Sequence, residues 1–142
     1  SGDKEWTKID TVTSTAYLDT NVEPGAAYTY TVKAYGSKIL SGCNESGWKT
    51  VFLSVPKMNS VVSNSGGVQV KWQKVSYATS YAVYRKAKGD TSWTQIGTVS
   101  GNDNLTYVDK TAKAGTTYTY TVRARYKNYI SWFEQGLTCK VN

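Results

Sequence analysis

The segment Lys113-Ala-Gly-Thr-Thr-Tyr-Thr-Tyr-Thr-Val-Arg-Ala124 decides the fold, because this chain of 142 residues contains it in two versions. The earlier version reads Glu23-Pro-Gly-Ala-Ala-Tyr-Thr-Tyr-Thr-Val-Lys-Ala34. Tyrosine, threonine and valine fit a pleated, half-buried surface, and the alternation in both copies is typical of a strand with one inner face. The pattern predicts a long strand in each copy and an all-β chain.

A second repeated block shows how large one unit is. Trp6-Thr-Lys-Ile-Asp-Thr-Val12 returns as Trp93-Thr-Gln-Ile-Gly-Thr-Val99, so the repeats are offset by 87 residues here and by 90 in the first block. That period is the size of one small β-sandwich. The second copy contains seven strand-like segments, whereas the first has only five residues before its tryptophan. We therefore predict an immunoglobulin-like β-sandwich at residues 56–142, preceded at residues 1–55 by a partial domain with strands four to seven but without the first three.

At this point the residues resemble a known family. Val68-Gln-Val-Lys-Trp72 resembles the second strand of a fibronectin type III domain, and Tyr81-Ala-Val-Tyr-Arg85 resembles its third strand. The resemblance implies that Trp72 anchors the core. It also implies that Tyr28 and Tyr118 are "tyrosine corner" residues, whose hydroxyls bond an upstream backbone group. The repeat is similar to tandem modules in surface or secreted proteins of Gram-positive bacteria.

Composition excludes most classes of enzyme. The chain has no histidine, and its two cysteines, Cys43 and Cys139, lie too far apart for a metal or redox motif. The ten acidic residues are scattered, so no carboxylate pair is expected in one cleft. We predict a non-enzymatic protein with no cofactor and no bound metal. We also expect no nucleic acid partner and no insertion into a membrane.

Charge and aromatic residues indicate two candidate binding sites. Residues 57–142 carry twelve basic and four acidic side chains, a net charge of +8 that favours anionic partners. The outer face of the sheet formed by strands three, six and seven is predicted to hold Tyr84, Lys86, Arg123 and Arg125. An ordinary solvated sheet face is the alternative.

The second candidate site is the segment after the sixth strand. Trp132 and Phe133 lie there, where exposed aromatic residues would anchor a protein or sugar ligand. A hairpin extension with one aromatic ring packed on the sheet explains the same residues equally well.

The predicted function is that of a non-catalytic module in a bacterial cell-surface or secreted protein, extracellular or attached to the cell wall. It would bind a host or bacterial surface protein or a glycan, or act as a spacer. The alternative is an accessory carbohydrate-binding module of a secreted glycoside hydrolase. Because the partial domain leaves an uncovered inner face and an open strand edge, we also expect a homodimer through the amino-terminal halves.

Overall fold

The computed structural model describes residues 5–142, which form ten β-strands and no helix. This part of the chain therefore offers no helix that could cross a membrane. The strands are β1 (Ala27–Tyr30), β2 (Trp48–Val51), β3 (Met58–Asn64), β4 (Gly67–Trp72), β5 (Ser80–Ala87), β6 (Thr94–Ser100), β7 (Thr106–Asp109), β8 (Thr117–Tyr126), β9 (Tyr129–Ile130) and β10 (Leu137–Lys140).

Strands β3 to β10 form two antiparallel sheets packed as a sandwich. One sheet has the order β3-β4-β7, and the other has the order β10-β8-β5-β6 with β9 added beside β8. Alternate residues of β4, β5 and β8 enter the space between the sheets, as the period of two in their sequences predicts. Trp72 is 1% exposed and its ring lies 5.4 Å from the ring of Tyr81, between centroids. All seven strands that the sequence predicts after residue 56 are present, and the fold is an immunoglobulin-like sandwich.

The amino-terminal unit contains a smaller sheet that repeats part of this architecture. Strands β1 and β2 pair antiparallel, with Tyr28 opposite Thr50. Strands β8 and β10 pair in the corresponding register, with Tyr118 opposite Cys139. The repeated sequence therefore produces a repeated pair of strands.

The amino-terminal unit contains fewer strands than the sequence predicts. A fourth and a fifth strand are expected between residues 5 and 26, but no strand forms there. In the complete domain their counterparts are β6, which pairs with β5, and β7, which pairs with β4. The described part of the amino-terminal unit has no equivalents of β4 and β5. A strand without a neighbour leaves its backbone groups unpaired, which accounts for the missing strands.

The join between the two units is packed. Leu53 is 4% exposed, and Pro56 is fully buried. The ring of Tyr77 lies against Gly25, at the place where a Cβ atom of residue 25 would stand. Gly25 has a φ of 81°, and Tyr77 has a φ of 65°, which is unusual for a residue with a side chain. The contact thus brings together a turn of the amino-terminal unit and a turn of the complete domain.

Candidate functional site

The outer face of β5, β6 and β8 carries a compact set of aromatic and cationic side chains, here called the aromatic cluster: Tyr84, Lys86, Trp93, Arg123 and Phe133. The rings of Trp93 and Phe133 are stacked, with 5.9 Å between centroids and an interplanar angle of 9°. The ring of Tyr84 meets Phe133 edge-on at 5.1 Å. The Arg123 guanidinium lies 4.3 Å from the Phe133 centroid, and the Lys86 ammonium lies 4.8 Å from the Trp93 centroid. The cluster is therefore a stack of rings with a cation against each of two rings.

Hydrogen bonds hold residues 131–134 on this face. The Arg123 Nε–H donates to the Ser131 carbonyl oxygen at 2.6 Å, and the Ala124 N–H donates to the Ser131 hydroxyl at 3.0 Å. The Thr121 hydroxyl donates to the carbonyl oxygen of Glu134 at 3.1 Å. This segment covers the middle of β8, so that even Thr121, on the outer side of the sheet, is fully buried. The face is therefore partly covered, and Tyr84, Lys86 and Arg123 are half-buried rather than solvated.

The structure separates the two aromatic residues of the predicted recognition segment. Phe133 packs on the sheet, as the hairpin alternative predicts, whereas Trp132 is 77% exposed, as an anchor would be. Each alternative thus describes one of the two residues.

Arg125 lies away from the aromatic cluster. It lines an open depression at the end of β8, whose residues are Ser80, Arg125, Lys127, Asn128, Tyr129 and Ile130. The sequence places Arg123 and Arg125 together on the outer face, but in the structure only Arg123 contacts the rings.

Trp93 belongs to the cluster, and our sequence reasoning did not include it among the candidate site residues. The sequence does contain a signal for Trp93, because the repeat has a tryptophan, Trp6, at the same position in its first copy. Trp6 lies beside Gly47 in the amino-terminal unit, where a Cβ atom on the glycine would meet the indole ring. A tryptophan that recurs in both repeats thus lies next to the small sheet in one unit and beside the outer sheet face in the other.

A buried polar network on the inner side of β8 was also missed. Asp109 is 1% exposed, and its Oδ2 accepts hydrogen bonds from the Arg85 guanidinium at 2.6 Å and the Tyr120 hydroxyl at 2.9 Å. Its Oδ1 accepts from the backbone N–H and the hydroxyl of Thr111. Burial raises the pKa of Asp109, but the hydrogen bonds from Thr111, Tyr120 and Arg85 outweigh burial and hold the pKa below its ordinary value. Burial and the Asp109 carboxylate raise the pKa of Tyr120.

The amino-terminal unit repeats one bond of this network. The Tyr30 hydroxyl donates to Oδ2 of Asp19 at 2.9 Å, and these residues precede Tyr120 and Asp109 by 90 positions. Burial and this bond raise the pKa of Tyr30 to about 12. Within residues 5–142, Asp19 forms no ion pair, so the counterpart of Arg85 is missing.

The two corner tyrosines behave differently. The Glu23 N–H donates to the Tyr28 hydroxyl oxygen at 2.8 Å, which is the upstream backbone bond that the resemblance implies. Tyr118 is buried and the Arg85 guanidinium lies 4.6 Å from its ring centroid, but its hydroxyl makes no such bond in the structure of residues 5–142. That part of the prediction is wrong for Tyr118. The two turns are alike, because the Ala26 N–H donates to the Glu23 carbonyl oxygen at 3.1 Å and the Thr116 N–H donates to that of Lys113 at 3.2 Å, so the turn does not explain the difference.

The arrangement offers contact surfaces rather than reactive groups. Within the described part of the chain, no three His, Cys, Asp or Glu residues are grouped so that they could hold a metal ion. The cations of the aromatic cluster are engaged with rings, and its half-buried rings leave little flat surface free. Next to this cluster, the exposed indole of Trp132 and the basic depression beside Arg125 are accessible to a ligand.

Comparison with solved structures identifies the fold. An Fn3-like protein from Clostridium thermocellum matches with a TM-score of 0.55 and 25% identity, over 63% of this chain and 94% of that chain. This chain has a fibronectin type III-like fold. The chicken CNTN1 FN1-FN3 domains match with a TM-score of 0.53 and 20% identity, over 88% of this chain and 44% of that chain. The resemblance inferred from the fibronectin type III motifs is confirmed at the level of the fold.

Sequence comparison also finds similarity to a curated protein. Exoglucanase B of Cellulomonas fimi is 30% identical over 134 residues, and the match covers 84% of this fibronectin type III-like chain but only 12% of the relative. The chain thus spans about an eighth of the length of that protein. No family model matches the sequence. Origin in a Gram-positive surface protein stays a prediction.

Proposed function

We infer that this chain is a non-catalytic accessory module of an extracellular bacterial enzyme that acts on glucans, and that it holds its two units in a fixed orientation. The name of the relative, Exoglucanase B, supports the glucan context. The match covers most of this chain and only a small part of the relative, which supports an accessory role. A short stretch of that kind is the size expected of an accessory module beside a larger catalytic domain.

The packed join is the observation that carries this proposal. A flexible linker exposes its residues, whereas Leu53 and Pro56 are buried here. The Tyr77 ring adds a second contact on Gly25, outside the linker. Two separate points of contact restrict rotation about the join, and restricted rotation is what a spacer requires.

Glycan binding is the second candidate function, and the exposure of Trp132 favours it. An indole that is 77% exposed offers a flat apolar surface to a sugar ring, and the adjacent Phe133 is fixed on the sheet. A protein ligand on a host or bacterial surface would use the same anchor. The other rings of this face pack on one another, which argues against a broad flat surface for binding sugars.

A glucan assay tests both candidates. The purified chain is incubated with soluble β-glucan and with insoluble cellulose, and released reducing ends and retained protein are measured. The spacer function predicts no hydrolysis and no retention of either the native chain or Trp132→Ala. Retention of the native chain but not of Trp132→Ala would instead establish the glycan-binding function. Hydrolysis by the native chain would contradict the non-catalytic assignment.

A further inference from the structure

The basic depression at the end of β8 contains two cations, Arg125 and Lys127. Arg125 lies in the sheet between Ser80 of β5 and Ile130 of β9, with which it is in register. Lys127 follows in the turn that joins β8 to β9. Neither cation takes part in an ion pair within residues 5–142. The depression therefore concentrates two positive charges that no carboxylate of the described chain neutralises.

The turn beside the depression holds Lys127 in an uncommon backbone conformation. Its φ is 52°, in the left-handed region that glycine adopts readily and other residues rarely. In the amino-terminal unit, the Gly36 N–H donates to the Ile39 carbonyl oxygen and closes the equivalent hairpin 90 positions earlier. The turn residues there, Ser37 and Lys38, are not left-handed. Closing the hairpin thus does not account for the conformation of Lys127, and such conformations are frequent at ligand sites.

The other residues that line the depression supply neutral polar groups and one apolar side chain. Ser80 and Tyr129 carry hydroxyls, and Asn128 carries an amide, so all three can both donate and accept hydrogen bonds. Ile130 adds apolar surface. A sugar ring presents a matching mixture, with hydroxyls at its edge and C–H groups on its faces. An inorganic anion would use the two cations alone and leave the neutral groups without a role.

We propose that the basic depression binds a sugar acid, the hexuronic acid unit of an acidic polysaccharide. The planar guanidinium of Arg125 donates two parallel hydrogen bonds to the sugar carboxylate, and the Lys127 ammonium adds a point charge. Ser80, Asn128 and Tyr129 bond to the hydroxyls of the ring. Such a ligand differs from a neutral glucan by its charge, so this proposal goes beyond the function proposed above and does not depend on it.

A calorimetric titration with trigalacturonic acid and with its methyl ester tests this proposal. The two trisaccharides have the same sugar units, but the ester carries no charge. Because hydrogen bonds to charged groups are the strong ones, the native chain should bind the acid at least about tenfold more tightly than the ester. Equal dissociation constants for the acid and the ester would overturn the proposal.

Arg125→Gln and Lys127→Gly remove the two cations one at a time. Each change should weaken binding of trigalacturonic acid by about tenfold. Glycine adopts a left-handed φ without strain, so Lys127→Gly should lose affinity without a decrease in Tm. Lys88→Gln and Lys110→Gln remove exposed lysines outside the depression and should bind as the native chain does. If these controls lost as much affinity as the two variants, total charge would explain binding and the proposal would fail.

Inorganic phosphate distinguishes a sugar acid from a simple anion at the same cations. Phosphate should displace trigalacturonic acid only at concentrations at least about tenfold above those of the unlabelled sugar acid, since it leaves the neutral groups unused. Displacement by phosphate and by the sugar acid over the same concentration range would make the depression a general anion site and contradict the assignment.

Discussion

The Tyr120 hydroxyl donates to the buried carboxylate of Asp109 at 2.9 Å, and the amino-terminal unit repeats this bond between Tyr30 and Asp19 at the same length. The surroundings of the two bonds differ. Asp109 is 1% exposed and also pairs with Arg85, whereas Asp19 is half-exposed and has no cationic partner within residues 5–142. One bond is thus part of a closed core, and the other belongs to a unit whose inner face is partly open.

Removing the two carboxylates should have unequal effects. Asp109→Ala leaves Arg85 without its partner in a low-dielectric site, and the free energy of unfolding should fall by about 3–5 kcal/mol. Asp19→Ala removes one partly exposed hydrogen bond and should cost about 1 kcal/mol. Urea unfolding, followed by near-ultraviolet circular dichroism, measures both. Equal losses would show that the Arg85 ion pair adds nothing to the core.

Stability should depend on pH through Asp109. Its pKa in the folded protein lies below its ordinary value of 3.8, because hydrogen bonds from Thr111, Tyr120 and Arg85 outweigh the effect of burial. The folded state therefore binds this proton more weakly than the unfolded chain. The contribution of the carboxylate to stability is complete above the ordinary pKa and is lost as the pH falls through the lowered one. In Asp109→Asn this component of the pH dependence, measured by urea unfolding between neutral and acidic pH, should vanish. An unchanged acid limb in the variant would assign the dependence to other groups.

The alternation of residues along each strand predicted the strands of the complete domain well. It failed in the amino-terminal unit, where formation of a strand depends on a neighbouring strand. The alternation in β8 placed Tyr120 and Val122 inside the sandwich, where the structure has them. The same alternation in residues 27–34 did not produce a strand of equal length, because the strand that would pair with it lies nowhere in residues 5–142. Sequence periodicity states which face is apolar, but it does not supply the partner.

The candidate site was predicted only in part, for a related reason. Strand position places Tyr84, Lys86 and Arg123 on one face, but the sequence assigns Phe133 to a separate candidate site, and the structure packs it against Tyr84 and Arg123. Their partial burial results from residues 131–134, which are bonded to β8 on this face. Sequence periodicity does not predict the path of such an irregular segment. Trp93 also belongs to the cluster. Comparison of the two repeats could have identified it, because Trp6 occupies the equivalent position in the first repeat.

Trp132 and Phe133 should respond differently to truncation. The exposed indole of Trp132 contributes little to folding, so Trp132→Ala should leave Tm within about 1 °C of the native value. Phe133 stacks on Trp93 and touches Tyr84 and Arg123, so Phe133→Ala should lower Tm by several degrees, roughly 4–8 °C per kcal/mol lost. Scanning calorimetry compares the two variants. A large decrease for Trp132→Ala would remove it as a ligand anchor.

Binding to a polyanion should depend on salt and on the basic depression. If the charge of +8 on residues 57–142 attracts anionic cell-wall polymers, the affinity should fall steeply as the ionic strength rises. The double variant Arg125→Glu, Lys127→Glu should weaken binding further, because these residues line the depression without contacting the aromatic cluster. Lys33→Glu with Lys38→Glu, in the amino-terminal unit, is the matched control and should change binding less. Equal weakening by both pairs would mean that only the total charge matters.

The join between the units can be loosened selectively at a repeated glycine. Gly25 and Gly115 occupy equivalent turns, with φ values of 81° and 77°. A Cβ atom at residue 25 would collide with the Tyr77 ring, whereas a Cβ atom at residue 115 would meet nothing within 4 Å. Alanine at either position therefore has the same backbone cost, about 1–2 kcal/mol, but only Gly25→Ala displaces the contact across the join.

Residual dipolar couplings of the native chain, Gly25→Ala and Gly115→Ala test the fixed orientation of the two units most directly. A fixed join predicts that one alignment tensor fits both units in the native chain and in Gly115→Ala, and that Gly25→Ala requires two tensors of different magnitude. A native chain whose units already require two such tensors would contradict the account.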